Sequence, residues 1–90
     1  MQNNVLSIEL EEQDFWGICP EEATPLIKRI YEIRRRKIDE LEIEDVRLLV
    51  SQNISLFITV KLAISILKDN ILAKGYYYEG DLLLAVLRSD

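Results

Sequence analysis

Residues 54–69 read ISLFITVKLAISILKD, and this stretch decides the fold class of the chain. Its apolar residues cover nearly the whole circumference of a helix, and Ser55 is placed to cap that helix with its hydroxyl group. A helix that is apolar on all sides is usually a buried one. The sequence therefore predicts a nearly fully buried helix that runs from Ser55 to about Asp69, with the other elements packed around it.

Helix signals lie on both sides of this stretch. Thr24 can cap a helix, and Pro25 suits the first turn, where its missing N–H would have had no partner. These two residues predict an amphipathic helix that runs to about Arg36. A second apolar stripe predicts a helix over residues 44–52, and Asp81 can cap a last short helix of sequence LLLAVL.

The remaining segments complete an all-helical prediction. Residues 3–13 can form a short helix capped by Asn3 or Asn4, and Gly75 is a natural stop for the long helix or its extension. No segment shows the alternation of a half-buried strand. We therefore expect an all-α fold, a compact single-domain bundle over residues 1–90 with four to five helices around one nearly fully buried helix.

The composition places the chain in the cytoplasm. Its single cysteine excludes an intramolecular disulfide and fits a reducing compartment. The N-terminus lacks the basic and apolar regions of a secretory signal. The most apolar run is interrupted by polar residues and is shorter than the ~20 residues that a membrane span needs. We expect a cytoplasmic protein without a membrane role.

The residue types argue against an enzyme. The chain has no histidine, so it lacks the commonest general base and metal ligand, and its lone Cys19 has no histidine to activate it. Its three glycines are scattered and form no phosphate-binding loop. Glu11 and Asp14 could be proposed as an acid–base pair, but carboxylates with this spacing usually face solvent. We predict no catalytic residue, no metal site and no cofactor.

The net charge of −5 is divided into blocks. Residues 1–24 hold six acids and no base, residues 25–38 hold six bases and one acid, and residues 39–45 hold five acids. Such blocks can pair with each other on one surface. Alternatively, the two acidic blocks can bind a cationic partner. The net acidity argues against nucleic-acid binding, which as a second hypothesis would need Arg34, Arg35 and Arg36 exposed together.

The aromatic residues are candidates for an interface. Trp16 and the three consecutive tyrosines, Tyr76 to Tyr78, are residue types that dominate binding hot spots. Trp16 and two of the tyrosines could instead pack in the core. The loop at residues 76–79 keeps a binding role open, whereas the following LLLAVL is expected to be core.

Four motifs recur in a recognisable order along the chain. They are IELEEQDFWG (8–17), IRRRKIDEL (33–41), IEDVRLLVSQNISL (43–56) and GYYYEGDLL (75–83). In this order the chain resembles the immunity proteins of bacterial contact-dependent growth inhibition (CDI) systems, the CdiI type. The chain departs from that pattern at three positions. Lys37 and Glu79 stand where the pattern has proline, and Ser55 stands where it has glycine.

The resemblance implies a cytoplasmic, non-catalytic protein that binds the C-terminal toxin domain of a CdiA effector. Such toxin domains are often nucleases, whose clefts are basic. Together with the acidic blocks, the resemblance predicts that an acidic surface covers this cleft and that aromatic side chains anchor the complex. The expected toxin-binding residues are Glu11, Glu12, Asp14, Trp16, Asp39, Glu40, Glu42, Tyr76, Tyr77, Tyr78 and Glu79.

Overall fold

The computed structural model of the chain describes residues 6–89 and confirms the all-α fold class. Within these residues there are five α-helices and one 3-10 helix, and no strand beyond two isolated β-bridges. The helices are α1 (Ile8–Glu12), α2 (Pro25–Arg35), the 3-10 helix (Ile38–Glu40), α3 (Ile43–Ser51), α4 (Leu56–Asp69) and α5 (Asp81–Arg88).

The helices are distributed over two units. The N-terminal unit ends at Leu41, and in it α1 packs on α2. The C-terminal unit begins at Glu42, and in it α3 packs on both α4 and α5, which also contact each other. A single domain over residues 1–90 stays a prediction.

The helix starts in the N-terminal unit follow local capping chemistry. Thr24 caps α2 as predicted, because its hydroxyl oxygen accepts a hydrogen bond from the Ile27 N–H at 3.2 Å, and Pro25 lies in the first turn. Ser7 caps α1, accepting from the Leu10 N–H at 3.1 Å. The caps expected at residues 3 and 4 lie outside the described residues.

The expectation that the long helix is nearly fully buried is wrong. In α4 only Thr59 and Ala63 are buried, and the Phe57 side chain is 76% exposed. Within the C-terminal unit α3 and α5 pack on α4, yet most of its other apolar side chains are only half-buried, and Ile64 is exposed like Phe57. The helix with the most buried residues is α3, five of whose nine residues are buried.

Ser55 does not cap α4 with its side chain, which corrects a second expectation. Its backbone is left-handed, with φ 53°, a conformation that favours glycine. This geometry explains the glycine of the family pattern at this position. The Thr59 hydroxyl lies instead 3.1 Å from the Ser55 carbonyl oxygen and 3.2 Å from that of Ile54, and ties the first turn to the preceding loop.

Candidate functional site

The tyrosine loop, residues 76–79, presents its aromatic side chains to solvent. Tyr76, Tyr77 and Tyr78 are 65%, 67% and 50% exposed. The alternative that two of them pack in the core is therefore wrong. An exposed run of three tyrosines next to a polar residue has the composition of an interface hot spot.

Two buried carboxylates hold the backbone of this loop. Glu44, at the start of α3, accepts a hydrogen bond from the Tyr76 N–H at 2.9 Å. Asp81, the first residue of α5, accepts from the N–H groups of Gly75 (2.7 Å), Tyr77 (3.1 Å) and Tyr78 (3.4 Å). Four consecutive amides are thus bound to acids that lie outside the loop, so the backbone is fixed while the tyrosine side chains face outward.

Asp81 was expected to cap the last helix, but the residue at the N-cap of α5 is Gly80. Gly80 has φ 86°, which suits glycine, and it turns the chain so that the Asp81 carboxylate faces back toward the loop. The Gly-Asp pair of the family motif therefore shapes the tyrosine loop as well as starting the helix.

Gly75 is needed for close approach and does not end the long helix, because α4 already stops at Asp69. A Cβ atom at Gly75 would collide with the Glu44 Oε1 atom and lie 3.3 Å from the Asp81 Oδ2 atom. Only a residue without a side chain lets both carboxylates reach the loop amides. The expectation of a helix stop at Gly75 is corrected accordingly.

Arg47 completes the support of the loop. Its Nε and Nη2 atoms bind the two oxygens of Glu44 at 2.7 and 2.6 Å, a bidentate ion pair. Its guanidinium carbon also lies 4.7 Å from the centre of the Tyr77 ring, within cation–π range. Arg47 thus neutralises one anchoring carboxylate and supports one of the exposed rings.

Both anchoring carboxylates are held in the ionised form. Burial by itself would raise the pKa of Glu44, but the hydrogen bonds from Arg47 and the Tyr76 N–H outweigh burial and lower it. Burial likewise opposes ionisation of Asp81, yet its three amide donors lower the pKa of that carboxyl below its ordinary value. The loop is therefore fastened to charged acceptors, which form stronger hydrogen bonds than neutral ones.

A cavity of about 280 Å³ opens beside the tyrosine loop. Its lining comes from the loop, from the end of α3 with the residues after it, and from α5. The lining side chains include Arg47, Val50, Ser51, Asn53, Tyr77, Tyr78, Asp81, Leu84, Ala85, Arg88 and Ser89. Tyr77 and Tyr78 therefore border a concave surface.

The N-terminal unit contains a second aromatic group. The Arg34 side chain is 1% exposed, donates to the Glu12 carboxylate and the Asp14 carbonyl oxygen, both at 3.0 Å, and stacks 4.1 Å from the Trp16 ring centre. Trp16 also meets Tyr31 edge to face at 5.2 Å. Trp16 thus covers a buried cation and keeps part of its ring at the surface.

The arginine cluster is paired with the acids of its own unit, as the blockwise charge pattern suggests. Arg34 pairs with Glu12, and Arg35 lies 3.4 Å from Glu9. Because Arg34 is buried, the three arginines do not form the shared exposed surface that nucleic-acid binding would require. No observation on this structure favours that alternative.

The predicted toxin-binding residues fall into three sets. Glu12, Asp14 and Trp16 come together around Arg34. The three tyrosines and Glu79 share the tyrosine loop. The other acids are exposed and belong to neither group: Glu11, Asp39, Glu40 and Glu42.

Sequence reasoning missed Glu44, Arg47 and Asp81, the residues that hold the loop. Their signal lies in the motifs, where charged residues interrupt the apolar runs IEDVRLL and GDLLLAVL. A charged residue in such a run needs a partner if it is buried.

Residues 6–89 contain neither a candidate membrane-spanning helix nor a candidate metal site. No helix among them is both long enough and apolar enough to cross a bilayer. No group of three or more histidine, cysteine or acidic residues in this part of the chain is arranged to hold a metal ion.

Comparison with known proteins identifies the family. The chain matches the CdiI_3 family, the CDI immunity proteins, over residues 9–90. No curated protein and no solved structure matches it. Because the match spans nearly the whole chain, the chain belongs to the family of CDI immunity proteins. Its role is that of an immunity protein, and a cognate toxin is the implied partner.

Proposed function

We propose that this CDI immunity protein acts in the cytoplasm by binding the C-terminal toxin domain of a cognate CdiA effector through the tyrosine loop, without catalysis of its own. The observation that carries the proposal is the exposure of three tyrosines on a backbone held by Glu44 and Asp81. Aromatic side chains on a fixed backbone lose little conformational entropy on binding. Such a loop can anchor a tight complex.

The charge of the protein supports a basic partner, such as a nuclease whose cleft binds phosphates. The net charge is −5, and the exposed carboxylates Glu11, Asp39, Glu40 and Glu42 supply negative potential. Complementary potentials mainly raise the association rate. Glu12 and Asp14 contribute less because they face Arg34.

The test is co-expression with the toxin domain encoded beside this chain. We expect cells to survive toxin induction with the wild-type protein and to die without it. The toxin domain is then purified from the complex, separated under denaturing conditions and refolded for calorimetric titration. We expect Tyr78→Ala to weaken binding by about tenfold or more, as hot-spot truncations do.

Phe57→Ala is the matched control, because Phe57 is an exposed aromatic residue of the same unit outside the loop. It should bind the toxin like the wild type. If the wild type gives no protection, the neutralising role is wrong. If Tyr78→Ala and the neighbouring Tyr77→Ala both bind with wild-type affinity, the tyrosine loop is not the interface.

A further inference from the structure

The cavity beside the tyrosine loop has three kinds of wall. Val50, Leu84 and Ala85 supply apolar surface, and Tyr77 and Tyr78 supply aromatic surface. Arg47 and Arg88 add guanidinium groups. A cavity whose lining is partly apolar and partly positively charged fits a side chain that has an aliphatic stem and a polar end.

The carboxylate of the cavity lining already accepts hydrogen bonds from the protein itself. Both carboxylate oxygens of Asp81 accept backbone hydrogen bonds, one from Gly75 and the other from the tyrosine loop. The carboxylate of the lining is therefore not available to bind an incoming cation.

The cavity does, however, contain hydrogen-bond donors that can bind an incoming group, namely the N–H groups of Arg88. Arg88 is exposed, and no ion pair joins it to any carboxylate among residues 6–89. A guanidinium group has five N–H donors in a fixed fork that matches a carboxylate. Arg47 adds positive charge nearby, although Glu44 neutralises much of it.

We infer that this cavity receives an aspartate or glutamate side chain of the toxin domain, with Arg88 as its ion-pair partner. The inference rests on the proposed function and adds the chemistry of recognition. A lysine or arginine would meet two guanidinium groups without a spare carboxylate. A purely apolar side chain would bury the donors of Arg88 unpaired, which is costly. A carboxylate satisfies the donors, and its methylene stem can pack on the apolar lining residues.

This recognition is opposite in sign to the overall charge. The exposed acids attract a basic toxin domain from a distance, whereas the cavity selects one acidic residue at close range. Such a residue fixes the register of the complex and rejects toxin domains that lack it.

The first test is the dissociation constant of the toxin complex for Arg88→Gln, which removes the charge and keeps most of the side-chain length. We expect about tenfold weaker binding. The affinity of Arg88→Lys should lie between those of the wild type and Arg88→Gln, because lysine keeps the charge but lacks the forked N–H donors of a guanidinium group. Lys68→Gln removes an exposed cation of α4 outside the cavity, and its affinity should stay within about twofold of the wild type. Wild-type affinity for both Arg88 variants overturns the inference.

The second test identifies the toxin residue. Each aspartate and glutamate of the toxin domain is changed to its amide and titrated against the wild-type protein and against Arg88→Gln. One toxin substitution should weaken binding to the wild type about tenfold and have little further effect on Arg88→Gln, the coupling expected for a contacting pair. Additive effects at every acidic toxin residue overturn the inference.

The two proposals fail in different ways. If Tyr78→Ala weakens binding and Arg88→Gln does not, only the carboxylate inference is wrong. If the wild-type protein does not bind the toxin domain, both are wrong. Thermal unfolding of each variant, followed by circular dichroism, shows whether the exposed substitutions leave the fold intact.

Discussion

Each unit of this protein holds an aromatic ring over an arginine, but the two rings are supported differently. In the N-terminal unit Trp16 lies over Arg34 at 4.1 Å, and in the C-terminal unit Tyr77 lies over Arg47 at 4.7 Å. Arg34 is buried, and its Nε atom has no hydrogen-bond partner among residues 6–89. Arg47 donates hydrogen bonds to Glu44, and Glu44 in turn accepts one from the backbone of the loop.

The two aromatic groups are therefore positioned in different ways, one by side-chain packing and the other by hydrogen bonds to the backbone. The position of Trp16 depends on a side chain that fills space beneath it. The position of the tyrosine loop depends on hydrogen bonds to its main chain, whatever the side chains are. Substitutions at the supporting residues should therefore cost more stability in the C-terminal unit than in the N-terminal unit.

Asp81→Asn should give the largest effect. The amide oxygen can accept only part of the three backbone hydrogen bonds, and the new NH₂ group points donors at donors. Leaving buried N–H groups unpaired costs about 1–3 kcal/mol each, so we expect the free energy of unfolding to fall by about 3 kcal/mol. Urea denaturation measures it.

Asp69→Asn, an exposed acid at the end of α4, is the matched control and should change stability by less than about 0.5 kcal/mol. A loss below about 1 kcal/mol for Asp81→Asn would show that the loop does not depend on this carboxylate.

Acid should weaken the same anchors by protonation. The lowered pKa values of Glu44 and Asp81 mean that their stabilising contribution is complete above the ordinary values of 4.5 and 3.8. It is lost as the pH falls through the lower values of the folded protein. We expect urea midpoints, measured from about pH 7 to about pH 2, to fall most steeply below about pH 4. Asp81→Asn should show a shallower decline, and an identical slope would contradict the assignment.

Arg34→Met should cost less than Asp81→Asn. A methionine keeps much of the volume beneath Trp16. Removing one partner of an ion pair is costly mainly when the other charge is left buried and unpaired. Glu12 remains partly exposed and can be hydrated. We expect a loss of about 1 kcal/mol in urea denaturation and a small change in tryptophan fluorescence.

Arg35→Met, an exposed arginine in the next position, is the control and should be nearly silent. If Arg34→Met destabilises the protein as much as Asp81→Asn, the distinction between the two units is wrong.

Ser55→Gly should give the smallest change, and it should stabilise. Glycine adopts the left-handed backbone of this position without the strain of a Cβ atom, so we expect a gain of about 0.5–1 kcal/mol in the free energy of unfolding. Gln52→Gly, in the same connection but with φ −95°, should instead lower stability by a similar amount. A loss for Ser55→Gly would mean that its side chain contributes more than the strain.

Local patterns in the sequence predict most of the helices. Thr24 and Pro25 predict the start of α2, and the apolar stripe of residues 44–52 predicts α3. For α5 the prediction rests on Asp81 followed by the apolar run LLLAVL. Local patterns could not predict the exposure of α4, because that exposure depends on how many other helices pack on it. Glu44 and Tyr76 are 32 residues apart, and no local pattern reports their hydrogen bond.

Two of the three departures from the family pattern, at Ser55 and Lys37, have local explanations. Ser55 occupies a left-handed position that suits the glycine of the pattern. Lys37 has φ −60°, close to the angle that proline imposes, so the proline of the pattern fits the same backbone. The fold therefore accommodates both the family residues and those of this chain.

Because two carboxylates bind the loop amides, the backbone conformation of the loop is independent of its side chains. Since Glu44 and Asp81 hold the loop through its main-chain N–H groups, the side chains at residues 76–78 can change without altering the path of the chain. The side chains of the loop can thus be exchanged while the residues that anchor its backbone stay the same. A library randomised at these three codons should keep yielding folded proteins while the toxins they recognise diverge.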